Sequence, residues 1–202
     1  MYKVFVNDRP IIFTSSSIKN DDFSVMNYKD IILEDVIKEV KTGKSNGTYL
    51  FTPNLDKVWK KFCVDYRLRE AGGGLVINPN KEILFIYRAN KWDLPKGRAE
   101  KNEEIEKTAI REVKEEVGIQ NIVIEKFLTN TYHLYPSRGK DRLKKTYWYL
   151  MRTDVDATLQ PLLEEGITEA AFFDEKKIKR IILKNTYKNI IAVYNLYKST
   201  FA

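Results

Sequence analysis

At 202 residues the chain has room for one domain with a full core, or for one domain and a smaller companion. Apolar residues make up 43% and charged residues 31%, ordinary for a soluble globular protein, and no apolar window approaches the length of a membrane span. The net charge of +7 admits nucleic acid, an acidic surface or a polyanionic small molecule as partner without choosing among them. The single Cys63 excludes an internal disulfide and a sulfur-based metal cluster, and reads as a small core hydrophobe. MYKVFVNDRP lacks the apolar stretch of a signal peptide, so a cytoplasmic location is expected.

In chain order, residues 1–14 pattern as a hairpin, MYKVFV and IIFT around a turn at NDRP. SSSIKNDD reads as a loop. Ile31, Ile32, Val36, Ile37 and Val40 recur at helical spacing within 28–41, and TGKSNG ends that pattern. TYLFT is a short strand. NLDKVWKKFCVDY is a second helix, with Asn54 as its cap and Leu55, Val58 and Phe62 inward. Residues 1–65 hold no metal-ligand or phosphate-loop spacing and read as a small N-terminal α/β domain or extension. A second domain is expected over residues 66–202.

That second part opens with REAGGGLVIN, three glycines at the head of a strand, where backbone can approach a neighbour or ligand closely. EILFIYRAN is the next strand. The stretch LPKGRAEKNEEIEKTAIREVKEEVGI follows, a loop at Pro95 and Gly97 and then a helix that Asn102 is placed to cap. Glu103, Glu104 and Glu106 crowd its first turn, and Gly118 sits at its expected stop. Ile105, Ala109, Val113 and Val117 mark the buried stripe, with Ile110 beside it. Glu112, Glu115 and Glu116 share a surface away from that stripe, where three carboxylates repel one another unless a cation lies between them. Such oxygen ligands suit Mg²⁺ or Mn²⁺. Beyond the helix, NIVIEKFLTNTYHLY is a long β stretch, SRGKDRLKK a basic turn, TYWYLMRT the return strand and DVDATLQPLLEEG a loop. ITEAAFFD is a strand and EKKIKRIIL starts a helix. Tyr187, Ile190, Ile191, Tyr194 and Tyr197 give the last helix an apolar stripe.

Gly97, Glu103, Arg111, Glu112, Val113, Glu115, Glu116, Gly118 and Ile119 fill every specified position of the pattern G-x5-E-x7-R-E-U-x-E-E-x-G-U, where U is a bulky aliphatic residue. The stretch resembles the Nudix box. The resemblance implies an α/β (α+β) chain whose residues 66–202 form a Nudix α/β/α sandwich with a mixed sheet. It implies a metal-dependent pyrophosphohydrolase, with Mg²⁺, or Mn²⁺ in its place. By motif position Glu112, Glu115 and Glu116 are metal ligands, joined by a backbone carbonyl near Gly97. Arg111 is expected to pair with Glu115, and Glu103 to support the loop. The general base is left open, with Glu115 or Glu116 ahead of Glu165, and with Glu164 and Glu169 beside it.

Trp92 and LPKG resemble the entry to the box in relatives that cleave dinucleoside polyphosphates or diphosphoinositol polyphosphates. Arg88, Lys96 and Arg98, with Lys144 and Lys145 across the next hairpin, would contact a polyphosphate. Tyr135 fits a tyrosine that dinucleoside polyphosphate hydrolases carry after the box, while Pro136 fits a proline of ADP-ribose hydrolases. His133 is expected to be structural or substrate-facing. The leading expectation is cleavage of a phosphoanhydride in a polyphosphorylated, nucleotide-like small molecule. An ADP-ribose or nucleotide-sugar pyrophosphatase and a non-catalytic nucleotide-sensing module are the alternatives. No membrane partner is expected, nor nucleic acid beyond capped RNA, and a homodimer is left open.

Overall fold

In the computed structural model, which describes residues 1–16, 23–154 and 158–201, the hairpin at the start is β1 (Tyr2–Val6) and β2 (Arg9–Thr14). Asn7 and Asp8 turn it with φ of 47° and 64°, the left-handed pair that a two-residue hairpin turn requires and that Asn and Asp tolerate. The loop expected at 15–22 falls largely outside the described residues.

The chain divides into two compact units, residues 1–69 with 131–145 and residues 70–130 with 146–202. In the first, β3 (Ser24–Asn27), β4 (Thr48–Phe51), β2 and β1 run in that order, with β1 next to the distal part of β9 (Val123–Ser137) and β9 next to β10 (Lys140–Arg152). Helices α1 (Leu33–Thr42) and α2 (Leu55–Asp65) place Val36, Ile37, Val40, Trp59 and Phe62 against Val4, Val6, Ile11, Phe13, Leu50, Leu134 and Leu143. Trp59 is the inward residue that the expected stripe of α2 omits. Asn54 precedes α2 but makes no side-chain cap bond. The helix expected from Tyr28 begins at Leu33, because Tyr28–Asp30 is a single 3₁₀ turn leading out of β3. Cys63 is half-buried against this core, and burial raises its thiol pKa, which suits a packing residue.

In the second unit the strand order is β11 (Ile167–Phe173), β6 (Ile83–Arg88), β5 (Arg69–Ile77), β10 and β9. The short β7 (Lys91–Asp93) pairs with β6 and β8 (Lys96–Arg98) with β5. Alternation along the strands sends side chains to two cores. Helix α3 (Ile105–Val117) buries Ala109, Val113 and Val117 against Val76, Leu84, Ile86 and Met151 on one face. Helices α4 (Glu175–Arg180) and α5 (Lys188–Phe201) bury Ile178, Ile190 and Val193 against Leu75, Phe85, Trp148 and Leu150 on the other. This is the expected sandwich. The basic SRGKDRLKK stretch is not a turn: only Arg138 and Gly139 turn, and Lys140 onward is strand. Among the described residues no helix is long and apolar enough to cross a membrane.

The glycines of β5 make their close approach to protein rather than to open space. A Cβ on Gly72 would lie 2.7 Å from the backbone nitrogen of Ala109 and 2.8 Å from the carbonyl of Ile105. Neither atom belongs to a flexible side chain, so the strand and α3 touch only because that Cβ is missing. Gly72→Ala is therefore expected to push α3 outward and cost about 1–3 kcal/mol, as overpacking does, read as a lower midpoint in chemical denaturation.

Candidate active site

The loop between β7 and α3 meets the acidic side of that helix. A Cβ at Gly97 would collide with the Glu112 carboxylate, so glycine is required for the loop to lie against it. The N–H of Lys96 donates to Glu116 Oε2 at 2.8 Å, fastening the loop to the helix a second time. Further back, Trp92 N–H donates to the Asn185 carbonyl at 2.9 Å, and Thr186 Oγ1 donates to the Trp92 carbonyl at 2.7 Å.

Arg111 gathers the acids. Its Nε and Nη2 donate to the two Glu103 oxygens at 2.8 and 2.9 Å, and its Nη1 donates to Glu112 Oε1 at 2.8 Å and Glu115 Oε2 at 2.9 Å. The Arg98 carbonyl accepts from Nη2 at 3.1 Å. The expected i,i+4 pair with Glu115 is thus one contact of several. Glu103 also accepts from the Glu100 N–H and from Thr108 Oγ1, and so closes the turn before α3. That displaces Asn102 from the capping role: it sits outside the helix at φ 64°, and Glu104 is the N-cap residue, without a side-chain cap bond. Hydrogen bonds from Arg111 hold the Glu103 carboxyl at about 2.

Glu112 and Glu116 do not share an exposed surface with Glu115. They are 7% and 1% exposed, because the box loop covers the flank of the helix on which they lie. Burial raises the Glu112 pKa against the pull of Arg111. Burial also pushes Glu116 up to about 7, although the Lys96 ammonium and backbone N–H favour its charged form. Glu116 Oε1 is buried with no hydrogen bond, and Arg88 Nη1 stands 3.6 Å from it. The same Arg88 nitrogen donates to Glu165 Oε2 at 3.1 Å, which brings Glu165, from the loop before β11, to the box glutamates. No bond among the described residues brings Glu164 or Glu169 there.

Lys96 is held rather than offered to solvent. Its ammonium pairs with Asp93, whose other oxygen accepts from the Leu94 N–H at 2.8 Å. Burial opposes the charge on Lys96, but Asp93 and Glu116 outweigh it and raise its pKa. Asp93 lies outside the motif, and its one signal in the sequence is an acid three residues before the loop lysine. Arg98 has an exposed side chain. Tyr135 and Lys145 belong to the first unit, where Lys144 Nζ lies 5.0 Å from the Tyr135 ring centre.

Every donor here is a hard oxygen, and one buried carboxylate oxygen lacks any hydrogen-bond donor, so the chemistry suits Mg²⁺ or Mn²⁺. The oxygens are not converged, however. Arg111 draws Glu112 and Glu115 to itself, and among the described residues no three acidic, histidine or cysteine side chains meet at ligating geometry.

The NUDIX domain family matches residues 67–194. MutT4 of Mycobacterium tuberculosis is 32% identical over 132 residues, 55% of this chain and 53% of its own length. An RNA pyrophosphohydrolase of Pelagibacter ubique is 29% identical over 101 residues, 44% of this chain and 64% of its own length. The chain thus spans between about half and two thirds of these curated relatives. In fold, the MutT protein from Methanosarcina mazei Go1 superposes with a TM-score of 0.50 at 19% identity, covering 67% of this chain and 96% of its own.

The depressed Glu103 carboxyl carries a sign. A group that loses its proton more readily when folded adds stability above its unfolded pKa and gives it up as pH falls through its folded one. Glu103→Gln is therefore expected to lower the melting temperature at neutral pH. The gap between the proteins should narrow as pH falls from about 4.5 toward about 2.

Proposed function

Because this chain belongs to the Nudix domain family, we propose that it hydrolyses a phosphoanhydride bond in a polyphosphorylated, nucleotide-like small molecule, such as a dinucleoside polyphosphate. The observation that carries the reading is Glu116, a carboxylate kept almost wholly from water with one oxygen unbonded, beside two further acids and a glycine loop. A bound divalent ion neutralises phosphate oxygens and lowers the pKa of a water. Glu112, Glu115, Glu116 and the carbonyl near Gly97 would hold it, and the family typically uses such an ion.

The chain's own groups do the rest. Arg111 carries the balancing charge for Glu112 and Glu115, which would have to exchange its hydrogen bonds for a bound cation to hold one. Glu115 has the most exposed of the three carboxylate side chains, at 52%, so water reaches it and it serves as the proton acceptor. Glu165 is the second candidate, held near by Arg88. Arg88 stands between the Glu116 and Glu165 carboxylates, and its guanidinium would be placed to meet a substrate phosphate at the same site. Arg98 adds an exposed cation on the loop. Lys96, fixed by Asp93, contributes its charge from within the loop.

Product analysis with Mg²⁺ and with Mn²⁺ tests the reading. The panel holds diadenosine polyphosphates, diphosphoinositol polyphosphates, ADP-ribose, nucleotide sugars, nucleoside triphosphates, and RNA with a 5′ polyphosphate or cap. Turnover of a dinucleoside polyphosphate should exceed that of ADP-ribose, and Glu116→Gln should abolish it while the circular dichroism spectrum is kept. Activity within a few-fold of the parent in that variant would remove the metal assignment.

The raised Glu116 carboxyl gives a second test. Its proton is held more tightly in the folded state, so its contribution to metal-free stability falls as pH rises from 4.5 toward about 7. A divalent ion must displace that proton. The rise in melting temperature on adding Mg²⁺ is therefore expected to be larger at pH 8 than at pH 6 and to vanish in Glu116→Gln. A shift independent of pH would place the ion elsewhere.

A further inference from the structure

The positive charge of the chain is not shared between its units. Residues 1–69 and 131–145 contain 17 Lys and Arg against 10 Asp and Glu, and so carry the whole net charge of +7; the remaining residues contain 18 of each. Residues 131–145 alone hold five cationic side chains and one acid. The box glutamates and the groups bonded to them all lie in the second, neutral unit. The bonds described above among the box glutamates and their partners involve none of the cations of the first unit.

Within the first unit the sheet has two unlike faces. Both helices contribute to the core on one of them, where Val4, Val6, Ile11, Phe13, Leu134 and Leu143 point. The alternate residues point the other way. Phe5 pairs with His133 across β1 and β9. The two-residue turn at Arg138 and Gly139 sets Tyr135 opposite Arg142, and His133 opposite Lys144. The rings of His133 and Tyr135 lie 6.3 Å apart, and the Lys144 ammonium stands 5.0 Å from the centre of the Tyr135 ring. His133, Tyr135, Arg142 and Lys144 are all partly exposed, and Arg138 and Lys140 are exposed at the hairpin tip.

We propose that this face of the first unit binds single-stranded nucleic acid, with bases stacking on His133 and Tyr135 and phosphates meeting Arg138, Lys140, Arg142 and Lys144. A row of rings on β9 beside a row of cations on β10 matches a strand that carries its bases along one side and its phosphates along the other, and stacking tolerates any base. A duplex would use the cations and leave the rings idle, since its bases face each other. An anionic membrane would ask for protruding apolar side chains beside the cations, but the apolar neighbours on β1 and β2, Phe5 and Ile12, are 9% and 3% exposed, and Val25, at 53%, stands on the far edge strand β3. The proposal does not rest on the hydrolase reading and stands if no substrate is turned over.

Fluorescence anisotropy with the full chain tests it, using labelled oligouridylate and oligoadenylate, single-stranded DNA, a DNA duplex and phosphatidylserine vesicles at rising KCl. Single strands should bind more tightly than the duplex, with affinity falling steeply with salt. Reversing two cations, in Arg142→Glu with Lys144→Glu, should flatten the log–log salt slope by about 1.4, since each phosphate no longer neutralised on a single strand removes about 0.7. Tyr135→Leu should weaken single-strand binding about tenfold and leave that slope unchanged, because a ring contributes stacking and no ion release. Circular dichroism of each variant should match the parent. Three results would overturn the proposal: no binding at the lowest salt, binding to vesicles but not to oligonucleotides, or equal affinity for duplex and single strand with Tyr135→Leu harmless.

Discussion

Four carboxylates on and just before one helix cannot stay close together without a cation, and Arg111 is that cation. Its planar fork reaches Glu103, Glu112 and Glu115 at once, a geometry that a lysine could not supply. Much of the second unit's detail follows from this one balance. The turn before α3 closes on Glu103 because Arg111 holds that carboxylate ionised and in place. Glu112 tolerates burial because a guanidinium faces it. Glu116 is the member that Arg111 does not reach, and it is the one left with an unbonded oxygen and a proton held up to about 7. The acids are thus in two conditions. Three are bonded directly to Arg111, while Glu116 meets its cations Lys96 and Arg88 from the loop and strand beside the helix and keeps an oxygen without a hydrogen bond.

The covering loop depends on the same logic carried one step outward. Asp93 fixes the ammonium of Lys96 and caps the N–H of Leu94, while the Lys96 N–H meets Glu116. Charge thus alternates in sign from Asp93 to Lys96 to Glu116 to Arg88 to Glu165. Such a chain positions its members tightly and holds the loop over the flank of α3 at Gly97, where any larger residue would strike Glu112.

Much of this is legible in residue order. The stripe Ala109, Val113 and Val117, the stop at Gly118 with φ 79°, the pair Arg111 and Glu115, and the glycine-rich head of β5 all follow from spacing, because helix periodicity and glycine's conformational range are local properties. Other features are not local. Glu112 and Glu116 look like surface acids because helical position says which side a residue takes, not what loop comes to cover it. Asn102 looks like a cap because its type suits one, but Glu103 has a stronger bond to make with Arg111, eight residues on. β3 escapes notice since SVMN has little strand pattern of its own and is a strand through pairing with β4. The basic stretch after Ser137 looks like a turn by composition, yet alternate residues there, Asp141 and Leu143, have partners in the first unit.

The first unit is assembled from two separated lengths of chain, and this orders events during synthesis. Residues 1–69 leave the ribosome with Phe13, Trp59 and Phe62 made but with Leu134 and Leu143, which complete that core, still about seventy residues from being translated. The half-built sheet must wait with its β1 edge unpaired until β9 arrives. The first unit therefore closes only at Lys145, after the residues between its two lengths have been made, and until then it is a nascent chain with an open flank that chaperones can recognise.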